Sequence, residues 1–416
     1  MSRVLYSLAT ALMLPLAALH LWLRSRRQPE YLQHVGERFA RYPAVTDTRP
    51  LIWIHAVSVG ETRAAETLVA ALKLRYPEHR FLLTHMTPTG RATSSKILDD
   101  CERRYLPYDT PWAVRRFLQH FRPQLGLIME TELWPNLIRA CKQADIPLLL
   151  VNARLSERSA RGYARFGALT RTALRNLTHI SAQTADDAQR LRLLGAEDAS
   201  ISGNLKFDLQ APPAHSELAQ YWRSSMGGCP VVLCASTREG EEELLLAAWQ
   251  KARPNALLVL VPRHPQRFDE VAALTEKHGL SCLRRSSNKP TADAQVWLGD
   301  SMGEMAAYYA FADVALIGGS LLDYGSQNLI EACAVGTPVL IGPSTFNFAE
   351  AAANALSCGA AIAVIDADDF VTKATGLLKD DTRRAAMSAA GLAFSQAHRG
   401  ATERTMELIE EALRQG

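Results

Sequence analysis

Short apolar runs alternate with helical patterns along most of this chain. Strands that read as continuous apolar runs are buried on both faces, as in a parallel sheet that is covered by helices. The sequence therefore predicts an α/β fold. The predicted strands are Leu51–Val57, Phe81–His85, Gln124–Met129, Leu148–Asn152, Ile180–Gln183 and Ala199–Gly203 in the first half, and Val231–Ala235, Leu257–Val261, Val296–Leu298, Val314–Ile317, Pro338–Ile341 and Ala361–Ile365 in the second.

A chain of 416 residues is too long for one ordinary core. We expect two Rossmann-like parallel-sheet domains that face a cleft, because ligands bind beside the carboxyl ends of the strands in such folds. Neither half carries GxGxxG after its first strand, which disfavours a dinucleotide oxidoreductase. The predicted organisation is a membrane anchor with a basic juxtamembrane segment at 1–40, a first domain at 41–209, a linker at 210–217, a second domain at 218–395 and a C-terminal helix at 396–416.

Two stretches have the composition of loops. Gln210–Glu217 is polar and contains two prolines, which suits the linker, and Arg285–Asp293 is rich in Ser, Asn and Pro, which suits a surface loop. The tail Thr382–Gln415 is rich in alanine and charge, and we expect it to be helical.

Charge and cysteine content exclude several classes of protein. The formal net charge of +3 gives no global field for a nucleic-acid partner. The seven cysteines are odd in number and scattered, without a CxxC pair or a Cys/His cluster. Such a pattern is typical of thiols in a reducing cytosol, and it disfavours a disulfide scaffold or a structural zinc site.

The N-terminus differs from the rest of the chain. Val4–Leu23 is a mostly apolar run of twenty residues without charge, interrupted by Pro15 and followed by Arg24, Arg26 and Arg27. A span of hydrocarbon needs about 20 residues, and arginines on its C-terminal side predict that the following chain is cytoplasmic. The alternative is an amphipathic helix that lies in the membrane interface or docks on a partner. Both interpretations make this segment a membrane tether.

Polar clusters follow three predicted strands of the first half. Glu61 lies at a strand-to-helix turn, where a carboxylate can take a proton from a hydroxyl, although Ser58 and Glu61 also have the spacing of a helix-capping box. Glu130 and Glu132 follow another strand and are either functional or helix N-terminal acids. Lys206 is placed to meet a phosphate or a sugar carboxylate, or is an ordinary surface lysine.

Polar clusters follow strands of the second half as well. They are Ala235–Gly240, Arg263-His264 between two prolines, Gly299–Glu304, and the glycine-rich stretch Gly318–Glu331. Glycines permit close approach of the backbone to a ligand, and helix starts bind phosphate. Ser301 with Glu304, and Asn328 with Glu331, also have capping spacing, which needs no ligand.

Six arginines against one acid mark the stretch from Asn152 to Arg175. If Ser156 caps a helix here, then three of the arginines share one face. Guanidinium groups suit phosphates and an anionic membrane surface, whereas the alternative is a solvated basic face. The candidate acceptor-binding residues are Arg154, Arg158, Arg161 and Arg165.

Taken together and in order, these motifs resemble the Kdo (3-deoxy-D-manno-octulosonic acid) transferase family of lipopolysaccharide synthesis. The resemblance covers nearly the whole chain. The motifs are SVGET, TPTGR, YLPYD, METELWPN, NARLS, GNLKFD, PRHPQRF, GDSMGEM, GGSL and GPSTFNFAEA. The resemblance implies a GT-B glycosyltransferase fold, CMP-Kdo as donor, and as acceptor the lipid A precursor, a tetraacyldisaccharide 1,4'-bisphosphate (lipid IVA), at the cytoplasmic face of the inner membrane.

The resemblance also assigns roles to residues. The catalytic base falls on Glu61, and its supporting charged residues fall on Glu130 and Lys206. The implied reaction is an inverting transfer that needs no cofactor and no metal. The CMP contacts fall on Arg263, His264, Met302, Gly303, Glu304, Asn328, Leu329, Ile330 and Glu331.

The chain departs from the family pattern at two positions. Many members have a histidine where this chain has Gln327, and another where it has Ser344. Two alternative functions are also weighed: a GT-B transferase or epimerase that uses a UDP-sugar, and a non-catalytic, membrane-tethered lipid-binding protein. The carboxylates at Glu61 and Glu130, kept together with Lys206, argue against the second.

Overall fold

The computed structural model describes residues 2–26, 28–209, 212–287 and 294–415. The chain forms two compact units, which we describe separately: unit 1 is Met1–Leu209 with Arg399–Gly416, and unit 2 is Gln210–His398. The cleft expected from the sequence stays a prediction. Arg27, the start of the predicted linker at 210–211, and residues 288–293 of the predicted surface loop lie outside the described residues.

Unit 1 is built around a parallel sheet in the order β3-β2-β1-β4-β5-β6-β7. The central strands are buried along their whole length, as their continuous apolar sequences predict. The strands are β1 (Leu51–His55), β2 (Arg80–His85), β3 (Glu102–Tyr105), β4 (Leu125–Met129), β5 (Leu148–Ala153), β6 (His179–Ala182) and β7 (Ser200–Ile201). The helices are α1 (Arg3–Leu12), α2 (Leu14–Ser25), α3 (Val59–Arg75), α4 (Pro88–Ile97), α5 (Pro111–Phe121), α6 (Pro135–Gln143), α7 (Glu157–Ala164), α8 (Gly167–Arg175) and α9 (Ala185–Leu193).

Unit 2 contains a second parallel sheet, in the order β10-β11-β9-β8-β12-β13-β14. Its strands are β8 (Val231–Thr237), β9 (Leu257–Pro262), β10 (Cys282–Arg284), β11 (Val296–Leu298), β12 (Val314–Ile317), β13 (Val339–Ile341) and β14 (Ala361–Ala363). Its helices are α10 (Pro213–Ser224), α11 (Glu241–Ala252), α12 (Phe268–Lys277), α13 (Met305–Phe311), α14 (Ile330–Ala334), α15 (Ala349–Ser357), α16 (Ala367–Leu378) and α17 (Asp381–Ala397). The two parallel-sheet domains expected from the sequence are thus confirmed.

The C-terminal tail is two helices rather than one. After α17 the chain turns at Gly400 and forms α18 (Ala401–Gln415), which belongs to unit 1. Ala401, Ile409 and Ala412 are fully buried in the same apolar cluster as Leu68 of α3. Asp208 caps α18 because its carboxylate accepts hydrogen bonds from the backbone N–H groups of Gly400 and Thr402, at 2.7 and 2.6 Å.

The N-terminal segment consists of α1 and α2, which bend by 46° at the break before Pro15. By length and composition this bent pair satisfies the criteria for a membrane span, whereas no single helix of the described residues does. The segment that follows is not a separate juxtamembrane tail. Arg38 is 2% exposed, its guanidinium lies 3.9 Å from the centre of the Tyr105 ring, and Glu37 beside it is also buried.

The predicted linker is too long at its C-terminal end. The structure begins α10 at Pro213, so residues 213–217 are helical. Proline at the first position of a helix lacks only an N–H that would have no partner there, and its fixed φ suits the helix. The two prolines that suggested a linker therefore mark a helix start.

Candidate active site

In unit 1 the candidate site lies where the strand order reverses. β1 pairs with β2 on one side and with β4 on the other, so the connections that follow β1 and β4 run in opposite directions. Such diverging connections leave a crevice at the strand carboxyl ends, where doubly wound folds bind ligands. Glu61 follows β1 and Glu130 follows β4. The acids selected from the sequence therefore flank this point.

Glu61 lies on the first turn of α3 and is 7% exposed. Its Oε2 accepts a hydrogen bond from the Val57 N–H at 2.7 Å, and its Oε1 accepts one from the Ser58 hydroxyl at 2.8 Å. Ser58 caps α3, because its Oγ accepts from the Glu61 N–H at 3.4 Å. The capping interaction considered as an alternative is therefore formed, and it also fixes the position of the carboxylate.

The environment of Glu61 disfavours its charged form. Burial, followed by the negative charge of Glu130, raises the pKa of Glu61 from 4.5 to about 7. Burial and the charge of Glu130 also raise the pKa of Glu132. A carboxyl group that titrates near neutral pH is a better general base for a hydroxyl than an ordinary glutamate.

Glu130 forms an ion pair with Lys206, whose Nζ lies 3.6 Å from Glu130 Oε1. The two side chains are 28% and 17% exposed, so the pair is only partly screened by water. Glu130 also has a φ of 55°, in the left-handed region that residues other than glycine seldom adopt. The sequence-predicted residues Glu61, Glu130 and Lys206 are thus brought to one place in unit 1.

Two asparagines hold the short 3-10 helix Leu205–Asp208 that carries Lys206. Asn204 Oδ1 accepts a hydrogen bond from the Lys206 N–H at 3.0 Å, and Asn152 Oδ1 accepts one from the Leu205 N–H at 3.1 Å. Because both bonds go to the backbone, they fix the direction from which the lysine side chain reaches Glu130.

The arginine-rich stretch forms α7 as the sequence predicts. Ser156 caps the helix by accepting a hydrogen bond from the Ser159 N–H at 3.2 Å. The Tyr163 hydroxyl donates to the Thr131 carbonyl at 3.3 Å, which joins α7 to the loop that begins with Glu130. A role in acceptor binding stays a prediction for Arg154, which is half-buried, and for Arg158, Arg161 and Arg165, which are exposed.

Unit 2 has the same kind of reversal between β8 and β12. Glu241, fully buried at the start of α11, joins the loops after these two strands. Its carboxylate accepts hydrogen bonds from the backbone N–H groups of Arg238 at 2.8 Å, Gly319 at 2.6 Å and Leu321 at 3.0 Å. Gly318 beside them has no room for a side chain, because a Cβ would lie 2.5 Å from the Ser236 carbonyl oxygen.

Arg263 and His264 follow β9 and are half-buried. Arg263 Nε donates to Gln327 Oε1 at 3.2 Å, so the residue in place of a family histidine orients this arginine. Burial, followed by the charge of Arg238, lowers the pKa of His264. Ser344, the other replacement, accepts a hydrogen bond from the Gly325 N–H at 2.9 Å and so stabilises the same loop.

Met302, Gly303 and Glu304 form the turn before α13. Met302 is 55% exposed, and Gly303 has a φ of 89°. Glu304 accepts a hydrogen bond from the Ser301 hydroxyl and pairs with Arg285 at 3.1 Å. The capping box considered for Ser301 and Glu304 is not formed, because α13 begins at Met305 and no side chain caps it.

Asn328 and Glu331 lie at the start of α14. This helix begins at Ile330 rather than at Asn328, whose Oδ1 accepts from the Ile330 N–H at 3.0 Å and whose Nδ2 donates to Glu331 Oε1 at 3.1 Å. The side chains of Leu329 and Ile330 are buried in the core. Any contact of these two residues with CMP-Kdo would therefore be made by their backbone atoms.

Among the described residues, no group of three or more His, Cys, Asp or Glu side chains is arranged to hold a metal ion.

Both halves of the chain match known families. Residues 33–209 match the family described as 3-deoxy-D-manno-octulosonic-acid transferase (kdotransferase), and residues 235–393 match glycosyl transferases group 1. The 3-deoxy-D-manno-octulosonic acid transferase of Bordetella pertussis is 44% identical, over 99% of this chain and 100% of that protein. The chain belongs to the Kdo transferase family. As a member it is a glycosyltransferase, and Kdo is the sugar that it transfers.

Further similarities agree with this membership. The Kdo transferase of Haemophilus influenzae is 36% identical, over 99% of each chain. A glycosyltransferase from Rickettsia africae has a TM-score of 0.60 at 12% identity, covering 89% of this chain and all of that one. UDP-GlcNAc 2-epimerase from Neisseria meningitidis also has a TM-score of 0.60, at 15% identity over 87% of this chain and all of that one. At these identities the two structures show the fold alone.

Glu241 of this Kdo transferase was not singled out from the sequence, and Ser326 was named only as part of the stretch Gly318–Glu331. Glu241 is one of three consecutive glutamates, so residue type gave no reason to prefer it. Ser326 has a φ of 62°, is 1% exposed, and its hydroxyl has no hydrogen-bond partner among the described residues. Buried hydroxyls are nearly always paired, so Ser326 is a further candidate for ligand contact.

Proposed function

We propose that the protein transfers Kdo from CMP-Kdo to the lipid A precursor lipid IVA, by an inverting reaction that needs no metal. The observation that carries this proposal is the carboxylate of Glu61, which is buried, fixed by two hydrogen bonds and shifted to a pKa of about 7. Family membership supplies the sugar, and the buried carboxylate supplies a base for an acceptor hydroxyl.

In this mechanism Glu61 takes the proton of the acceptor's 6'-hydroxyl. The hydroxyl oxygen forms a bond to the anomeric carbon of Kdo as the bond from that carbon to the phosphate oxygen of CMP breaks. The electron pair leaves with CMP, and the configuration at the anomeric carbon inverts. Lys206, held beside Glu130 at 3.6 Å, supplies a fixed positive charge for the negative charge that develops on the reacting groups.

The donor residues that we propose lie in unit 2. Arg263 and His264, with Asn328 and Glu331, offer the charge and hydrogen-bonding groups that a nucleoside monophosphate needs. Two hydrogen bonds support this assignment: the one from Arg263 to Gln327 and the one from Asn328 to Glu331, both of which orient polar side chains.

We further propose that the protein acts at the cytoplasmic face of the inner membrane, tethered by α1 and α2. The exposed leucines of these helices, together with Trp22 and the arginines that follow, support a membrane tether. An acceptor with four acyl chains lies in a membrane, so a tether brings the enzyme to its substrate.

Mass spectrometry of the lipid product tests the proposed reaction. Purified protein is incubated with CMP-Kdo and lipid IVA in EDTA, and the product is expected to be heavier by one or more Kdo residues. An unchanged lipid from folded, CMP-binding protein would contradict the proposed acceptor. Activity that is lost in EDTA and restored by magnesium would contradict the metal-independent mechanism.

The pH dependence of the reaction is expected to report on Glu61. The base must be ionised, so kcat/KM for the acceptor should rise with pH through an apparent pKa near 7. Because the charge of Glu130 raises the pKa of Glu61, Glu130→Gln should move this rise to lower pH. Rates measured from about pH 5 to about pH 9 give the apparent pKa of the wild type and that of the variant.

The matched control for Glu130→Gln is Glu78→Gln, which removes an exposed glutamate of unit 1 outside the site. This variant is expected to keep the wild-type profile. A profile of Glu130→Gln that rises at the same pH as wild type would show that another group controls the rate.

Glu241→Gln is expected to weaken donor binding. Glutamine offers one oxygen where the carboxylate offers two, so at least one of the three backbone N–H groups would lose its acceptor, at about 1–3 kcal/mol. The loops at Arg238 and Gly319 would then be less well ordered, and we expect KM for CMP-Kdo to rise about tenfold while kcat changes much less. Steady-state kinetics against CMP-Kdo measure both constants.

Glu243→Gln is the matched control, since Glu243 is the exposed glutamate two residues along α11. Its kinetic constants should be those of wild type. If Glu241→Gln lowers kcat and leaves KM unchanged, then Glu241 does not position the donor loops.

A further inference from the structure

A cavity of unit 1 lies outside the candidate active site. It has a volume of about 1090 Å³ and opens between α1, α5 and α6. Neither Glu61 nor Glu130 nor Lys206 lines it. Its function is therefore a question separate from the chemistry of Kdo transfer.

The lining of this cavity combines positive charge with apolar surface. No acidic residue is among its lining residues, and no described carboxylate forms an ion pair with its arginines. Because guanidinium groups without a protein counter-ion suit phosphate groups, the cavity fits an anion that also carries apolar chains. The residues that give this character are Arg3, Arg115, Arg122 and Arg139, with Val4, Leu8 and Leu118.

Polar side chains on one face of α1 hold that helix against the fold. The Tyr6 hydroxyl donates to Asp109 Oδ2 at 2.9 Å, and the Ser7 hydroxyl donates to Asn136 Oδ1 at 2.8 Å. Asp109 is buried and also accepts hydrogen bonds from the backbone N–H groups of Asn136 and Leu137 at the start of α6. The wall that α1 gives to the cavity is thus fixed by specific bonds.

Beyond the cavity, α1 and α2 expose a large apolar surface. Leu5, Leu12 and Leu16 are 56%, 79% and 62% exposed. Arg26 lies over the Trp22 ring at 4.1 Å, an arrangement of charge and aromatic ring that suits the interface of a bilayer. Apolar surface beside arginines that form no ion pair within the described part of the chain matches the acyl chains and the phosphate of one phospholipid molecule.

We propose that the cavity between α1, α5 and α6 binds the phosphate headgroup of an anionic bilayer phospholipid, while α1 and α2 lie in the interfacial layer. The occupant is a bulk membrane lipid rather than the acceptor, because the cavity shares no residue with the catalytic group. Lipid binding at this site does not require CMP-Kdo. The proposal also does not depend on lipid IVA being the acceptor.

Vesicle binding by the full-length protein tests the site without donor or acceptor. Wild type should bind vesicles of phosphatidylethanolamine with phosphatidylglycerol, and Arg115→Gln/Arg139→Gln should bind them about tenfold more weakly. The matched control is Arg116→Gln/Lys142→Gln, which removes the same charge from exposed positions of the same two helices outside the cavity. Equal weakening in both double variants, or wild-type binding by the cavity variant, would overturn the proposal.

Two further measurements separate the bilayer lipid from other anions. In neutral detergent, the cavity variant should keep the wild-type KM for lipid IVA, whereas an increase that matches the loss of vesicle binding would make the cavity an acceptor subsite. Inorganic phosphate lacks acyl chains, so it should displace the protein from vesicles only weakly, although more than chloride of equal ionic strength because the arginines bind phosphate. Displacement as strong as that by soluble short-chain phosphatidylglycerol at the same concentration would indicate a site for a free anion, and this result or the raised KM for lipid IVA overturns the proposal.

Discussion

Glu61→Gln is expected to lower kcat by about a hundredfold to ten-thousandfold, the usual contribution of a positioned general base. The amide keeps the size of the side chain, its oxygen can accept from the Val57 N–H, and its NH2 group can donate to the Ser58 hydroxyl. The change therefore removes the base and preserves the loop. The measurement is kcat for Kdo transfer to lipid IVA, with CMP binding as a check on unit 2.

Stability separates a catalytic loss from a folding defect in this variant. The pKa of Glu61 in the fold lies above its ordinary value, so the folded state holds the proton more tightly. Stability therefore falls as the pH rises from 4.5 to about 7, and the full cost of the ionised carboxylate remains above that pH. Glu61→Gln should therefore unfold at the same temperature as wild type or higher at alkaline pH. Glu66→Gln, on the same helix outside the site, should leave kcat unchanged. Near-normal turnover by Glu61→Gln would exclude Glu61 as the base.

Lys206→Met is expected to lower kcat by about a hundredfold to a thousandfold, the typical effect of removing one preorganised electrostatic contact. Methionine keeps most of the length of the side chain but removes the charge that lies 3.6 Å from Glu130. Because Asn152 and Asn204 hold the backbone of the 3-10 helix, that helix should stay in place. We therefore expect kcat to decrease while the yield of folded protein stays at the wild-type level.

Lys142→Met and Lys206→Arg serve as controls for this prediction. Lys142 is exposed on α6, and its loss should leave kcat unchanged. Arginine restores the charge, so Lys206→Arg should recover part of the rate. If Lys206→Met and Lys206→Arg are equally impaired, then the shape of the side chain matters and its charge does not.

Strands with an apolar run could be predicted from the sequence, whereas two edge strands without one could not. Val296–Leu298 and Val314–Ile317 have the bounds that their apolar runs predict. β3 and β10 were missed because their sequences, ERRY and CLR, contain no apolar run. Both β3 and β10 lie at an edge of their sheet. An edge strand pairs with a neighbour on one side only and is less buried, so it requires fewer apolar residues.

The residues of the candidate site also differ in whether the sequence could predict them. Glu61 and Glu130 could be selected because an acid after a buried strand has few structural roles, and the sheet order then brings their loops together. Glu241 could not, because its role depends on backbone N–H groups 78 and 80 residues away in sequence. The burial of Arg38, which lies within the predicted anchor and juxtamembrane segment at 1–40, could not be predicted for a similar reason, since its aromatic partner Tyr105 is distant in the chain.

The return of α18 to unit 1 has a consequence for biosynthesis. Ala401, Ile409 and Ala412 complete the apolar cluster that covers one side of the first sheet. The ribosome makes them only after all of unit 2. During translation, the apolar side of α3 that α18 covers therefore stays uncovered until α18 has been made. Apolar surface that stays exposed during such a delay favours aggregation of the nascent chain.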